Sequence, residues 1–237
     1  MQVNAVQRSI LESGSWFAGC APDLKTKLLA IALCCDYSEG EMLFRRGDAP
    51  DGLYAVLSGS VRIYGLDSHG KEALLTFIEA PNWIGEVSLF DKNVRTHNAS
   101  AETQTKLLHF PQKALHDLLN ASPQFWQDFG CLLTHKLRLS FLLLEDMALL
   151  PAPIRLAKRL VLIAQEQTFN SAEASRSPVV VNVPQESLAR LLSVSRQTAN
   201  QILKDLADLN LICLSYGKIE ITDLAGLRAF VGGKTLS

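Results

Sequence analysis

The stretch SPQFWQDFGCLLTHKLRLSFLLLEDMALLP, residues 122–151, predicts one long helix around which the rest of the chain is arranged. Ser122 stands at an N-cap position, and Pro123 follows at the first helical position, where a missing N–H has no intrahelical partner to lose. Pro151 predicts the end of the helix, because a residue before proline is disfavoured in the helical region. The helix has about seven turns, which is longer than most helices of compact domains.

Mostly apolar residues of this helix recur every seven positions. They form two columns, one of Trp126, Leu133, Ser140 and Met147, the other of Gly130, Leu137 and Leu144. Such a seam is typical of a helix that packs against a partner helix, and we interpret it as the seam of a parallel dimer. A second apolar face, which predicts packing within the same subunit, contains Phe129, Leu132, Phe141 and Leu143. A helix packed only within its own domain is the alternative. Ser140 is the polar exception in the seam, and a buried hydroxyl needs a hydrogen-bond partner.

Composition bounds the class of protein. The chain has 237 residues, of which 48% are hydrophobic, so we expect one or two globular domains. No run of 18 apolar residues and no signal-peptide pattern is seen, which favours a cytoplasmic protein. The five cysteines have no framework spacing, which predicts reduced thiols.

Charge divides unevenly along the chain. Residues 1–150 contain 13 Lys and Arg against 17 Asp and Glu, whereas residues 151–237 contain 10 against 7. The first part is therefore acidic and the second basic, although the whole chain has a net charge of −1. A basic C-terminal part is compatible with nucleic-acid binding without establishing it.

In the part before the long helix, the sequence pattern changes from helix-like to strand-like near residue 36. Residues 1–35 have apolar positions at helical spacing. From Asp36 to Phe110, short runs of β-branched and aromatic residues alternate with turns, which predicts a β-barrel or jelly roll. Four glycines at those turns are expected to adopt positive φ, namely Gly40, Gly47, Gly59 and Gly70. A short helix is predicted after Pro111.

The part after the long helix has a different order of elements. A helix follows Pro153, then a polar loop over 169–178, a strand at VVVNV and two helices joined by a short turn. The two segments LICLS and KIEIT predict a β-ribbon, and LAGLRAFV predicts a last helix. The two helices with the ribbon predict a winged helix-turn-helix.

Inward positions of the two helices are predicted by their spacing to be Leu188, Ala189, Leu192, Val194, Thr198, Ile202 and Leu206. Ser195 is expected to cap the second helix. The outer face near its start then presents Arg196, Gln197, Asn200 and Gln201. Arg suits guanine, Asn and Gln suit adenine, and the hydroxyls of Ser195 and Thr198 suit phosphates. An ordinary helical hairpin with a solvated polar face is the alternative.

The segment IGEVSLFDKNVRT, residues 84–96, has the parts of a phosphate site. If the segment folds back, Gly85, Arg95 and Thr96 bring backbone N–H groups, a cation and a hydroxyl together. Glu86 is then left for sugar hydroxyls. Taken alone, the same residues favour a surface loop.

These stretches together resemble the cyclic-AMP receptor / FNR family of bacterial transcription regulators. The resemblance lies in SLARLLSVSRQTANQILKDLADLNLI and YGKIEI near the C-terminus, and in FRRGDAPDGLYAVLSGSVRIY and IGEVSLF…RT in the first part. It implies an α+β homodimer with a cyclic-nucleotide-binding-like jelly roll (1–121), a dimerisation helix (122–150) and a winged helix-turn-helix domain (151–237). It further implies palindromic double-stranded operator DNA and RNA polymerase as partners.

The resemblance also implies roles for individual residues. Gly85 and Glu86 would bind the phosphate side and the ribose hydroxyl, and Arg95 and Thr96 would clamp the cyclic phosphate of an effector such as cyclic AMP. Ser140 matches the first of two hydroxyl residues that touch the base, but the second is Phe141 here. That departure leaves open cyclic AMP, cyclic GMP, cyclic di-GMP, or no ligand.

In the DNA-binding domain, the implied contacts include Gln185 at the start of the first helix of the pair. The family's familiar Arg-Glu…Arg triplet is replaced here by Arg196, Gln197 and Gln201, which predicts a different operator sequence.

Other function classes have weaker support in the sequence. An iron–sulfur sensor needs four converging thiolates, and Cys20, Cys34, Cys35 and Cys131 match that only in number. A haem sensor needs an axial histidine, and the histidines are scattered along the chain. A nucleotide-processing enzyme is the remotest alternative, because no catalytic triad order, metal pair or Gly-rich phosphate loop is present.

Overall fold

The computed structural model describes residues 3–169, 179–181, 185–192, 194–215 and 218–233. The chain forms two compact units, Met1–Leu139 and Ser140–Ser237, and the boundary falls inside one long helix.

The first unit starts with three short helices and continues with eight strands. The helices are α1 (Ala5–Ser13), α2 (Ser15–Gly19) and α3 (Pro22–Ile31). The strands are β1 (Leu33–Tyr37), β2 (Met42–Phe44), β3 (Gly52–Ser58), β4 (Ser60–Leu66), β5 (Glu72–Glu79), β6 (Trp83–Ile84), β7 (Asn98–Ala101) and β8 (Thr105–Pro111). Helix α4 (Val87–Asp91) interrupts them, and α5 (Gln112–Ala121) follows.

The eight strands make two four-stranded antiparallel sheets, with the orders β1-β8-β3-β6 and β2-β7-β4-β5. Chain neighbours are rarely sheet neighbours, which is the arrangement of a jelly roll. All four predicted turn glycines have positive φ, between 78° and 91°. Those turns need glycine because a side chain disfavours this backbone region.

Strand β3 is buried on both of its faces. Side chains alternate along a strand, and here Tyr54 and Val56 join the cluster between the two sheets, whereas Leu53, Ala55 and Leu57 join the cluster beneath the helices. Helices α1, α2, α3 and α5 cover that outer face through Leu11, Phe17, Leu24, Leu28 and Leu115, all fully buried. The strand therefore reads as an uninterrupted apolar run in the sequence.

The start of the long helix differs from its prediction. A 3-10 turn (Pro123–Phe125) precedes α6 (Trp126–Leu149). Ser122 stands at the N-cap position of this turn, as predicted, but its side chain makes no capping hydrogen bond. Its hydroxyl instead accepts a hydrogen bond of 3.1 Å from Nζ of Lys27 on α3.

The two faces of α6 have different surroundings. Phe129 and Leu132 are buried in the helix-side cluster of the first unit, as the second apolar face predicts. The Trp16 ring lies 5.4 Å from that of Phe129, and its indole N–H donates to the carbonyl of Asp128. Phe141 was expected on the same packed face but is 60% exposed. It lies beyond Leu139, outside the unit that covers the start of the helix.

The second unit is helical with a small sheet. Its elements are the end of α6, α7 (Ala152–Phe169), β9 (Val179–Val181), α8 (Gln185–Leu191), α9 (Arg196–Asp208), β10 (Ile212–Ser215), β11 (Lys218–Ile221) and α10 (Leu224–Val231). The antiparallel sheet has the order β10-β11-β9. Helices α8 and α9, the turn between them and the ribbon β10–β11 make the predicted winged helix-turn-helix. The predicted polar loop lies almost entirely outside the described residues.

Within the described residues, none of the helices combines the length and apolar character needed to cross a membrane.

Candidate ligand pocket and nucleic-acid interface

The pocket segment of the first unit follows strand β6 directly. Gly85 comes after that strand with a φ of +100°, and Glu86 then precedes α4. A Cβ on Gly85 would lie 2.6 Å from the carbonyl oxygen of Gly52 and 2.8 Å from Nη1 of Arg95. Glycine is therefore required here both by the backbone conformation and by the close approach of β3 and the arginine.

Arg95 is a buried charge beside this segment, with 3% of its side chain exposed. Its Nη2 donates to Asp51 Oδ1 at 2.5 Å and to the Gly52 carbonyl at 2.6 Å, and its Nη1 donates to the Gly85 carbonyl at 3.2 Å. The guanidinium also lies 4.3 Å above the ring of Phe44, a cation–π contact. A guanidinium has five N–H groups, and Nε is buried with no hydrogen-bond partner among the described residues.

Asp51 is shared between Arg95 and a tyrosine of β3. The hydroxyl of Tyr54 donates to the second carboxylate oxygen of Asp51. Burial, and next the hydrogen bond to Asp51, raise the pKa of Tyr54, so the hydroxyl stays a donor near neutral pH. The Tyr54 ring stacks on His109 of β8 with the ring centroids 4.6 Å apart, and a ring nitrogen of His109 lies 3.1 Å from the Asp51 carbonyl oxygen. These contacts hold the carboxylate that orients Arg95.

Glu86 also has a charged partner. It is 5% exposed, and its Oε2 lies 2.6 Å from Nζ of Lys136 on α6. The same ammonium group donates to the carbonyl of Trp83 at 2.5 Å. This pair offsets the desolvation of a buried carboxylate and joins the pocket segment to the first half of α6.

Thr96 follows Arg95 and is exposed. Its hydroxyl oxygen lies 3.0 Å from Nδ1 of His97. The structure thus brings Gly85 into contact with Arg95, with Glu86 next to Gly85 and Thr96 next to Arg95 along the chain. Ser140 and Phe141 lie on α6 in the second unit, and both are exposed.

Three contributors to the pocket were not predicted from the sequence: Asp51, Phe44 and Lys136. Each reaches the pocket from a distant part of the chain, and the sequence carries no periodic signal for such a contact. Phe44 and Asp51 both lie in the stretch FRRGDAPDGLYAVLSG, which carries part of the family resemblance. Their contacts with Arg95 depend on how the strands of the jelly roll pack, which the sequence does not show.

The candidate nucleic-acid interface is the exposed side of α9. Ser195 caps this helix as predicted, because its hydroxyl accepts from the backbone N–H of Thr198 at 3.0 Å. A shallow concavity of about 550 Å³ lies along the helix. It is lined by Arg196, Gln197, Asn200, Gln201 and Lys204. Asn200 is half-buried, and its Oδ1 has no hydrogen-bond partner among the described residues.

Three details of the interface differ from the sequence prediction or add to it. Thr198 was expected to face inward, but it is exposed, and Ala199 and Leu203 occupy the interior instead, alongside Ile202. Lys204 was missed, although it lies seven residues after Gln197 and therefore on the same face of the helix. Gln185 begins α8, and its side chain lies outside the described residues.

The cysteine and histidine side chains that the structure describes do not form a metal site. Among the described residues, no group of three or more His, Cys, Asp and Glu side chains is placed to hold a metal ion. Cys20 is buried, whereas Cys34 and Cys131 are exposed. Burial raises the pKa of the Cys20 thiol to about 12, and so Cys20 is a poor source of thiolate.

A jelly roll with a buried arginine pocket and a winged helix-turn-helix define the class of ligand-binding DNA-binding proteins. Comparison with known families agrees with both halves. The family model described as "Cyclic nucleotide-binding domain" matches residues 35–122, and that described as "Crp-like helix-turn-helix domain" matches residues 154–230.

Some known proteins are similar to this chain over most of its length, and they indicate the family more narrowly than the two domain models do. The CRP-like cAMP-activated global transcriptional regulator of Mycobacterium tuberculosis is 30% identical over 214 residues, which are 90% of this chain and 95% of the relative. The cyclic AMP receptor protein of Thermus thermophilus is 27% identical, over 92% of this chain and 96% of its own. The structure of the c-di-GMP responsive global regulator CLP of Xanthomonas campestris has the same fold, with a TM-score of 0.66 at 23% identity, over 85% of this chain and 99% of its own.

The chain therefore belongs to the Crp/Fnr family of transcription regulators. It has the cyclic-nucleotide-binding domain and the DNA-binding helix-turn-helix of that family.

We predict that Gly85→Ala destabilises the protein by at least about 2 kcal/mol, because alanine at positive φ is strained and its methyl group would displace Gly52 or Arg95. Urea unfolding followed by circular dichroism measures the change in free energy. Gly19→Ala is the matched control, since a Cβ there meets no atom within 4 Å. Equal stabilities for the Gly85→Ala and Gly19→Ala variants would contradict this account of the pocket segment.

Proposed function

We propose that the chain is a homodimeric, sequence-specific DNA-binding transcription regulator whose jelly roll binds a cyclic nucleotide. In this proposal residues 1–121 sense the effector, 122–150 form the dimerisation helix, and 151–237 bind palindromic operator DNA. Binding of the effector repositions the two recognition helices. The regulator works in the cytoplasm with RNA polymerase as a partner and catalyses no reaction. Turnover assays on nucleotides test the last point.

The observation that carries the ligand assignment is the buried guanidinium of Arg95. Its hydrogen bonds to Asp51, Gly52 and Gly85 use three of five N–H groups and leave Nε–H and one N–H of Nη1. A buried, oriented cation with spare donors suits a phosphodiester, because charge-assisted hydrogen bonds are the strong ones. Glu86 and Gly85 supply an acceptor for a sugar hydroxyl and a close backbone approach at the same place.

Cyclic AMP is the proposed effector. The M. tuberculosis relative is described as cAMP-activated, which supports this choice. In our proposal Ser140 contacts the base, and Phe141 lies where the family has a second hydroxyl. An aromatic ring there would stack on a base rather than hydrogen-bond to it. Cyclic GMP and cyclic di-GMP are therefore the competing ligands, and a regulator that binds DNA with no nucleotide, or senses redox state or haem, is the alternative.

We predict that Arg95→Ala weakens cyclic AMP binding about 100-fold or more, because charged hydrogen bonds to the phosphate are lost. Isothermal titration calorimetry on the full chain measures the affinity. Arg95→Lys keeps the charge without the forked geometry and should retain part of the affinity. Arg8→Ala is the control, since that exposed arginine on α1 forms an ion pair with Glu12.

Undiminished binding by the Arg95→Ala variant would contradict the pocket assignment. The same titrations with cyclic GMP and cyclic di-GMP identify the effector. If none of the three nucleotides binds the wild-type chain, while operator DNA still binds, the constitutive alternative replaces this one.

The dimer rests on the exposed side of α6. Leu137 is 49% exposed, Leu144 61% and Met147 57%, all at heptad spacing. A row of large apolar side chains open to water on one face of a helix favours burial against another helix. Because α6 is the one helix among the described residues with such a row, a second copy of the chain is the simplest partner.

We predict that Leu137→Glu converts the protein to a monomer, because it places a charge in an apolar seam. Sedimentation velocity at micromolar protein concentration reports the assembly state. His135→Glu introduces the same side chain on a neighbouring exposed position outside the two columns and should leave the dimer intact. A wild-type chain that sediments as a monomer, with and without DNA, would remove the basis of the whole mechanism.

The DNA assignment rests on the surface of α9. Arg196, Gln197 and Gln201 are exposed side by side near the start of a capped helix, and Lys204 extends the surface with a cation. Helix starts of this kind enter the major groove in helix-turn-helix proteins. Gln201 donates to Asp205 at 2.8 Å, a bond that uses one of the two N–H groups of its amide.

We predict that Arg196→Ala weakens binding to a duplex selected by the wild-type chain by about 1–3 kcal/mol, and weakens binding to random duplexes much less. Fluorescence anisotropy at several salt concentrations measures both affinities, and the salt dependence should change little. Arg228→Ala, an exposed arginine of α10, is the control for loss of one charge. Equal losses on selected and random DNA would refute a base-reading role for Arg196.

A further inference from the structure

The side chains of Thr96 and His97, which follow the buried Arg95 in the chain, form a hydrogen bond with each other. Nδ1 of His97 lies 3.0 Å from the hydroxyl oxygen of Thr96. The His97 ring is half-buried against β4, where Gly65 leaves it room: Cδ2 lies 3.9 Å from the place that a Cβ on Gly65 would take. His97 immediately precedes β7, whose first residue pairs with Tyr64 next to Gly65. The imidazole is thus positioned by the sandwich, with one nitrogen directed at Thr96.

The chemistry of this pair depends on which partner supplies the hydrogen. A threonine hydroxyl has one hydrogen to donate, and a phosphate oxygen can only accept. When Nδ1 of His97 carries no proton, it accepts that hydrogen and competes with a phosphate for it. When Nδ1 is protonated, it donates to the oxygen of Thr96 and leaves the hydroxyl hydrogen available to the phosphate.

We infer that His97 is a positioning residue for nucleotide binding, and that its protonated form turns the Thr96 hydroxyl toward the phosphate and strengthens binding. This inference rests on the proposed function, in which the pocket takes a cyclic nucleotide. It adds a residue outside the Gly-Glu and Arg-Thr pairs, and it makes the affinity for the nucleotide depend on pH.

The charges around His97 set the direction of that dependence. Burial, and next the charge of Arg46 in the turn after β2, lower the pKa of His97 in the ligand-free protein. From β4 the ring faces Gly65, which carries no charge, and Arg95 in the same segment is paired with Asp51. When the Thr96 hydroxyl donates to a phosphate oxygen, its own oxygen can accept only from a protonated Nδ1, so binding of a phosphodiester through Thr96 raises the pKa of His97. By linkage, binding takes up a proton and tightens as the pH falls through that pKa.

Calorimetric titration of the full chain with cyclic AMP, at about pH 5.5, 6.5 and 8, tests the inference. The affinity of the wild-type chain should rise by about two- to tenfold toward low pH, the size of one hydrogen bond. Buffers of different ionisation enthalpy should reveal proton uptake. His97→Gln and Thr96→Val should both bind with an affinity that is independent of pH. His69→Gln, at the exposed turn between β4 and β5, should behave as the wild type.

The outcomes separate this inference from the function on which it rests. Cyclic AMP binding with the same affinity at all three pH values would overturn the role of His97 and leave the ligand assignment standing. A pH dependence that persists in Thr96→Val would mean that the charge of His97 acts directly on the phosphate, which overturns the positioning role. No binding of cyclic AMP by the wild-type chain at any pH would overturn both.

Discussion

The first unit depends on one buried guanidinium. Arg95 can be 3% exposed only because its charge is neutralised by Asp51, two of its N–H groups end on backbone carbonyls, and its face rests on Phe44. A buried charge without such partners would be strongly destabilising. These contacts tie together the start of β3, the end of β6 and the segment before β7. The same constraint explains Gly52 and Gly85, whose carbonyls must turn toward the arginine.

The long helix serves two different environments along its length. Its first half is fixed by core contacts at Phe129 and Leu132 and by the ion pair of Lys136 with Glu86. Its second half presents apolar side chains to water, including Leu144 and Met147. Core contacts on one side keep this helix folded, but its other side leaves large apolar side chains exposed to water. The proposed dimer would cover this exposed seam.

The pattern of the sequence was sufficient for the elements but not for the contacts between them. Strand alternation, glycine turns and helical spacing predicted the jelly roll, the long helix and the winged helix-turn-helix. Two local predictions were wrong for physical reasons. Phe141 was assigned to the packed face of the long helix, but it is 60% exposed. Thr198 was assigned to the interior, but the smaller Ala199 packs there. Both errors concern which residues of a helix face inward, and tertiary packing decides that.

The pocket shows the same limit more clearly. Gly85, Glu86, Arg95 and Thr96 lie within one short segment, and so they were readable from the sequence. Asp51 and Lys136, which neutralise Arg95 and Glu86, come from 44 and 50 residues away. No spacing rule relates residues so far apart. Their roles for the ligand remain proposals, but their pairing in the ligand-free chain is a property of the fold.

That pairing determines what a nucleotide has to do in order to bind. Arg95 and Glu86 each already have an ion-pair partner. The net free energy of ligand binding is therefore the difference between the contacts that the ligand makes and the contacts that it replaces. The phosphate can use the donors of Arg95 that Asp51 and the carbonyls leave open. A sugar hydroxyl at Glu86, in contrast, meets a carboxylate that is bonded to Lys136 at 2.6 Å. Because Lys136 belongs to α6, any shift in that bond alters a restraint on the helix. A ligand changes the state of a protein only through contacts that differ between states, and in the proposed function the ion pair of Glu86 with Lys136 would be such a contact.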